Sequence, residues 1–150
     1  MSGIDALMKD RKAQEYWFRR FIALVVDAVI VFVILAIITA VVALPFLLFN
    51  RSAPFTWFFG TFSALWGLIL VFYFAISESA SGASFGKRVF NLRVVSKRGS
   101  TPTLAEAFVR NLSKIYWLLL LLDVIVGLAV SKNYQQKYSD QFVGTTVVSE

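Results

Sequence analysis

The sequence predicts an all-α membrane protein with three hydrophobic helical segments and a basic cytoplasmic loop. Of its 150 residues, 58% are hydrophobic and 16% are aromatic, and the mean hydropathy is +0.70. A soluble domain is about 45–50% apolar, and a fold of this length cannot bury the excess. The apolar residues therefore need lipid around them. Residues 1–150 are predicted to form one membrane domain.

Residues 20–44 are predicted to form helix one. The run from Phe21 to Leu44 has one ionised residue, Asp27, and is long enough to cross a hydrocarbon core of about 30 Å. Pro45 is expected to end this helix. A short link then leads to helix two over residues 55–77, which must run antiparallel to helix one.

The loop over residues 78–103 is polar and basic. By the positive-inside rule this loop and the N-terminus lie in the cytoplasm, which predicts a multi-pass protein of the inner (plasma) membrane. Anionic lipid headgroups explain the positive charge better than nucleic acid does, because the basic residues flank apolar runs. The loop residues expected to face lipid are Lys87, Arg88, Arg93, Lys97 and Arg98.

The third segment, residues 104–131, begins as an amphipathic helix and becomes apolar. Thr103 and Glu106 are predicted to form a capping box at its start. The apolar part is short and interrupted by Asp123, so it either crosses obliquely or bends and returns. The β-branched residues of the loop and of the tail, residues 132–150, can pair as short strands only if the segment returns.

Several charged residues lie in or beside the apolar runs. Arg20 and Asp27 are seven residues apart, hence on nearly the same helix face, with Asp27 about 10 Å deeper. An acid at this depth needs a partner, and it either marks an ion or proton path or only packs the helices together. Arg110 is expected either to meet Asp27 or Glu78 or only to anchor its helix at the interface.

The chain has no cysteine and no histidine, which removes disulfides, thiolate nucleophiles and the usual zinc, haem and iron–sulfur ligands. The loop sequence GASFGKR departs from the phosphate-binding loop in spacing and in the residue after its lysine. We therefore expect no metal, no cofactor and no enzymatic activity.

Three fragments, in order along the chain, are similar to the RDD family of small integral membrane proteins: YWFRRFIALVVDAVIV, SGASFGKRVFNLRVVSKRGSTPTLAEAFVRNL and SDQFVGTTVV. The family is named for one arginine and two aspartates. The resemblance implies that Arg20 and Asp27 are the arginine and the first aspartate, and that Asp123 or Asp140 is the second. The chain departs from many relatives in lacking a proline just after Asp123 and a strongly basic stretch before Asp140.

The resemblance implies a transport function, with cation/proton antiport proposed for some members. In that hypothesis Asp27 binds a monovalent cation or a proton, and Arg20 or Arg110 competes for the carboxylate. Three spans are too few to enclose a path, which predicts a homo-oligomer or a partner membrane protein. The alternative is a non-transporting scaffold or accessory subunit that binds anionic lipid or a protein partner.

Overall fold

The structure, a computed structural model, describes residues 3–49, 55–131 and 134–149. The bounds of its helices are α1 (Gly3–Lys9), α2 (Arg11–Phe49), α3 (Phe55–Ser81), α4 (Phe85–Val89), α5 (Leu104–Asn111), α6 (Trp117–Val130) and α7 (Tyr138–Val143). A 3₁₀ turn (Leu112–Ile115) joins α5 to α6, and the strands are β1 (Leu92–Ser96) and β2 (Thr145–Ser149). The mainly helical content agrees with the predicted fold class.

Helix α2 is longer than predicted at both ends. The helix begins at Arg11, because its first turns, although polar, contain buried residues at the same three- or four-residue spacing as the apolar part. The buried residues of this inward face are Ala13, Tyr16, Arg20, Ala23, Asp27 and Val31. The prediction that Pro45 ends the helix is wrong: a proline removes one intrahelical hydrogen bond, and α2 continues to Phe49.

The composition of α2 is that of a membrane span. Residues Arg11–Pro45 include an 18-residue stretch with a mean hydropathy of 3.3, of which 17% is buried by the rest of the chain. A core helix of a soluble protein would be mostly buried, so this exposure favours lipid contact. Among the described residues, α2 is the one helix that is long and apolar enough to cross a membrane by itself. Helices α5 and α6 together would provide a second span if the bent pair crosses as one unit.

The third segment is sharply bent. The helical stretch that ends at Ile115 and helix α6 are inclined by 115°, with the intervening Tyr116 in an extended conformation. The 14 residues of α6 reach about 21 Å, which is short of a hydrocarbon core. Of the two paths left open by the sequence, the structure shows the bend.

Strands β1 and β2 pair in antiparallel register, with Leu92 opposite Ser149 and Ser96 opposite Thr145. The tail therefore lies on the same side of the molecule as the 78–103 loop. The inner face of this ribbon packs on the N-terminal half of α2, where Tyr16 and Ala23 contact Leu92, Val94 and Val147. The N-terminus, the loop and the tail thus share one end of the protein.

Two further contacts position the helices around α2. Val31 packs against Leu70 and Phe74 of α3. Helix α4 lies on α2 so closely that a Cβ at Gly86 would stand 2.2 Å from the Ala23 carbonyl oxygen. Any side chain at position 86 would therefore push α4 away from the span.

The strand register predicts a specific disulfide. Val95 lies opposite Thr146, and directly opposed residues in an antiparallel pair have Cα atoms within disulfide range. We expect the Val95→Cys, Thr146→Cys variant to cross-link under mild oxidation, as seen by non-reducing electrophoresis after proteolysis between the two sites. The matched control is Arg93→Cys with Thr146→Cys, a diagonal pair that should cross-link poorly. Preferential cross-linking of the control would contradict the register.

Candidate site: a buried charge network beside an apolar cleft

Asp140 joins three separate parts of the chain. Its side chain, in α7, is fully buried. Arg20 of α2 donates from Nη2 to Asp140 Oδ2 at 2.7 Å, and Arg110 Nη2 of α5 lies 3.0 Å from Oδ1. One carboxylate therefore holds two arginines that are distant in sequence.

Glu78 extends this arrangement to α3 and α4. Arg110 Nε lies 3.5 Å from Glu78 Oε2, Lys87 Nζ donates to Oε1, and Asn111 Nδ2 donates to Oε2 at 2.8 Å. The prediction placed Glu78 in the loop, but α3 continues through it to Ser81 and turns it inward. We refer to Arg20, Glu78, Lys87, Arg110 and Asp140 as the charge network.

The predicted pairing of Asp27 with an arginine is wrong. Arg20 turns instead to the tail, where Nη1 also donates to the Gln135 carbonyl at 3.0 Å. Asp27 accepts hydrogen bonds from Tyr73 Oη at 2.8 Å and from the Gly86 amide at 2.7 Å. Ser84 Oγ donates to its other oxygen. These donors are neutral, and their geometry makes Asp27 a clasp that fixes α4 on α2.

Asp123 is bound to a lysine that the sequence analysis did not select. Lys137 Nζ donates to Asp123 Oδ2 and to the Arg110 carbonyl at 2.6 Å, and it is only 4% exposed. Ser113 and Ser139 also donate to the Asp123 carboxylate. Lys137 follows a polar stretch of the tail, where hydropathy gives no reason to expect burial. Among the described residues, no three acidic side chains are grouped to hold a metal ion.

The basic loop divides into two kinds of residue. The expectation that Lys87 faces lipid is wrong: it is 6% exposed, because α4 turns it toward Glu78. The other four basic residues of the loop are exposed: Arg88, Arg93, Lys97 and Arg98. Arg88 Nη2 also donates to Ser81 Oγ.

Two members of the charge network lie outside the helices that could span the membrane, and both have shifted pKa values. Burial raises the pKa of Asp140, but the charges of Arg110 and Arg20 oppose it more strongly and bring the pKa to about 2. Burial lowers the pKa of Lys87 to about 8, although the Glu78 carboxylate opposes this change. At neutral pH Asp140 is therefore ionised, and Lys87 is largely protonated.

A cleft of about 550 Å³ lies against the network, a volume typical of ligand sites. Its walls are mainly apolar side chains of α2 and α6, including Phe21, Leu24, Trp117 and Leu121. Its lining contains five cationic side chains: Arg20, Lys87, Arg110, Lys114 and Lys137. The lining residues that the structure describes include no carboxylate.

Residues 16–144 match the sequence profile of the RDD family. The chain belongs to the RDD family. The matched RDD region contains all of the charge network and also Asp27 and Asp123. With the apolar span in α2, this membership identifies the RDD chain as a membrane protein. No curated protein and no solved structure matches it. In this RDD protein the aspartate that binds Arg20 is Asp140.

Removing the Asp140 charge should destabilise the protein severely. Asp140→Asn leaves two buried arginines without their shared anion, and breaking such a pair costs about 3–5 kcal/mol. The measurement is the free energy of unfolding in detergent micelles. Glu15→Gln is the matched control, because Glu15 pairs with Arg19 at the surface and should lose at most about 1 kcal/mol. Equal losses in the two variants would show that the network does not stabilise the fold.

Acid should weaken the protein through the same carboxylate. Because the Asp140 pKa falls from 3.8 to about 2 on folding, its stabilisation is complete above pH 4 and disappears as the pH falls toward 2. The shift corresponds to about 2 kcal/mol. Unfolding curves at several pH values should show this decrease in wild type and in Glu15→Gln but a shallower one in Asp140→Asn. Identical pH profiles for all three proteins would exclude Asp140 as the titrating group.

Proposed function

We propose that this membrane protein transports an anion, which it binds at the basic end of the cleft. The observation that carries the proposal is an excess of buried positive charge. Four of the five cationic side chains of the lining form ion pairs, and they share three carboxylates, those of Glu78, Asp123 and Asp140. Among the described residues, the fifth, Lys114, has no such pair. Buried charges need partners of opposite sign, and a bound anion would supply the missing negative charge.

The hydrogen bonds indicate where the anion would bind. Arg110 is 1% exposed, and its Nη1 has no hydrogen-bond partner among the described residues. Lys114 Nζ donates to Asn111 Oδ1 at 2.5 Å and lies 3.1 Å from the centre of the Phe74 ring. Lys114 forms no ion pair with a carboxylate among the described residues, and a bound anion would favour its protonated form. The remaining cations are already held by carboxylates.

A transport cycle would use the network as its switch. An anion on Arg110 competes with Asp140 for the guanidinium, and a weakened Asp140 contact loosens α7 and the tail from α2 and α5. Protonation of Asp140 would have the same effect only near pH 2, so at neutral pH the anion itself must drive the change. In this cycle the competition for an arginine takes place at Asp140, whereas the sequence-based hypothesis placed it at Asp27.

The orientation and assembly follow as proposals. The N-terminus, the loop and the tail meet at one end, which also carries exposed basic residues, so we place this end in the cytoplasm of a multi-pass inner-membrane protein. The apolar outer face of α2 includes Phe32, Ile37, Ile38 and Val41, all exposed. This face is available to lipid, to a second copy or to a partner membrane protein. We propose no enzymatic activity.

The proposal is tested by uptake into proteoliposomes. The probes are inorganic phosphate and octyl phosphate, each measured with wild type, Lys114→Met and Lys97→Met. All the ion pairs of the charge network remain in Lys114→Met, so this variant should still fold. Its uptake should fall about fivefold or more, because the anion loses a cationic partner. Lys97 is exposed, and its replacement should leave uptake unchanged. Uptake of neither probe above protein-free liposomes, or equal uptake by both variants, would refute anion transport.

Cation/proton antiport through Asp27 stays a prediction, and the same vesicles distinguish it. A pH gradient should then drive sodium or potassium flux in wild type that disappears in Asp27→Asn, while Lys114→Met retains it. Anion transport instead predicts that anion uptake falls in Lys114→Met and persists in Asp27→Asn. A cation flux that is absent from wild type would exclude the antiport mechanism.

A further inference from the structure

Part of the cleft lining is exposed at the apolar surface of α2 and α6. Phe21 is 61% exposed and Trp117 is 76% exposed, although both line the cleft. Leu121 and Ile125 continue the exposed apolar wall on α6. A small hydrated anion gains nothing from such walls, whereas an acyl chain would bury them.

The charged groups lie beside the start of the apolar run of α2. Arg20 is the last residue before this run, and Leu24 of the cleft wall is about 6 Å further along the helix. Lipid headgroups reside near this boundary. The guanidinium of Arg110 and the ammonium of Lys114 can therefore meet a headgroup phosphate while its chain remains among apolar side chains.

We propose that the anion is the headgroup of an anionic phospholipid that enters the cleft sideways from the bilayer, with an acyl chain between α2 and α6. This inference rests on the proposed function and names its ligand class. Nη1 of Arg110, which has no hydrogen-bond partner among the described residues, binds the phosphate together with Nζ of Lys114. Phe21, Trp117 and Leu121 contact the chain. The exposed loop cations attract the same lipids to the surface but do not form the site.

Tryptophan quenching by brominated lipids tests this site, because Trp17 and Trp117 line the cleft. The full-length protein is placed in phosphatidylcholine nanodiscs that contain a small fraction of bromine on the acyl chains of either phosphatidylglycerol or phosphatidylcholine. At equal mole fraction, we expect the brominated phosphatidylglycerol to occupy the quenching site about fivefold more readily. Trp117→Phe should remove much of the lipid-dependent quenching.

Two matched variants distinguish the site from the surface. Lys114→Met should abolish most of the preference for phosphatidylglycerol, and Lys97→Met should preserve it. A preference that depends on Lys97 and not on Lys114 would assign lipid selectivity to the exposed loop and overturn the inference. Helicity and thermal unfolding of each variant in detergent show whether it is folded, and Lys114→Gln replaces any Lys114→Met sample that is not.

The failure of this inference is separable from the failure of anion transport. Absence of a phosphatidylglycerol preference, with Lys114-dependent uptake of inorganic phosphate intact, would mean that the anion comes from water and that only the lipid assignment is wrong. Absence of both Lys114-dependent effects would overturn both proposals.

Discussion

The ion pairs of Asp140 with Arg20 and Arg110 connect the tail to the membrane helix and to the bent third segment. Arg20 and Asp140 are 120 residues apart in sequence, so their contact closes nearly the whole chain. The closure brings α7 beside α5 and α6, and the chain then continues directly into β2. All three side chains are buried. Loss of Asp140 would leave Arg20 without a carboxylate partner among the described residues and Arg110 with Glu78 alone, in a low-dielectric interior.

The cleft follows from the same pairing. Glu78 holds Arg110 and Asn111 against α3, so α5 follows that helix until the chain turns at Tyr116. The 115° bend then directs α6 away from the direction of α5. Gly127 allows α6 to meet the start of α7, because a Cβ there would lie 2.3 Å from the Tyr138 nitrogen. Helix α6 is thus anchored to the tail, and a space remains between it and α2.

The sequence predicts the elements of this fold better than it predicts their partners. The Thr103 and Glu106 capping box forms as expected, and hydropathy locates the apolar segments. The inward face of α2 was also visible, since Ala13, Tyr16 and Arg20 continue the spacing of Ala23 and Asp27. Hydropathy alone missed it because the first turns are polar.

Partner choice in the site could not be predicted in the same way. A seven-residue spacing shows that Arg20 and Asp27 share a helix face, but it does not tell which distant residue meets that face. Lys137 was missed for a related reason, since its burial depends on the position of Asp123 across a loop. These contacts join residues that are distant in sequence, and a local sequence pattern does not show which distant residues will meet.

The excess of positive charge beside the cleft limits how the site can work. A buried lysine without an anion either loses its proton or remains charged at a large desolvation cost. Lys87 retains Glu78, and Lys137 retains Asp123, so these two have local compensation. Lys114 has an amide oxygen and an aromatic ring instead, and Arg110 cannot deprotonate. An anion between these two groups would supply the carboxylate-like partner that Lys114 lacks and would meet the free Nη1 side of Arg110, and this is the physical basis of the proposed negatively charged ligand.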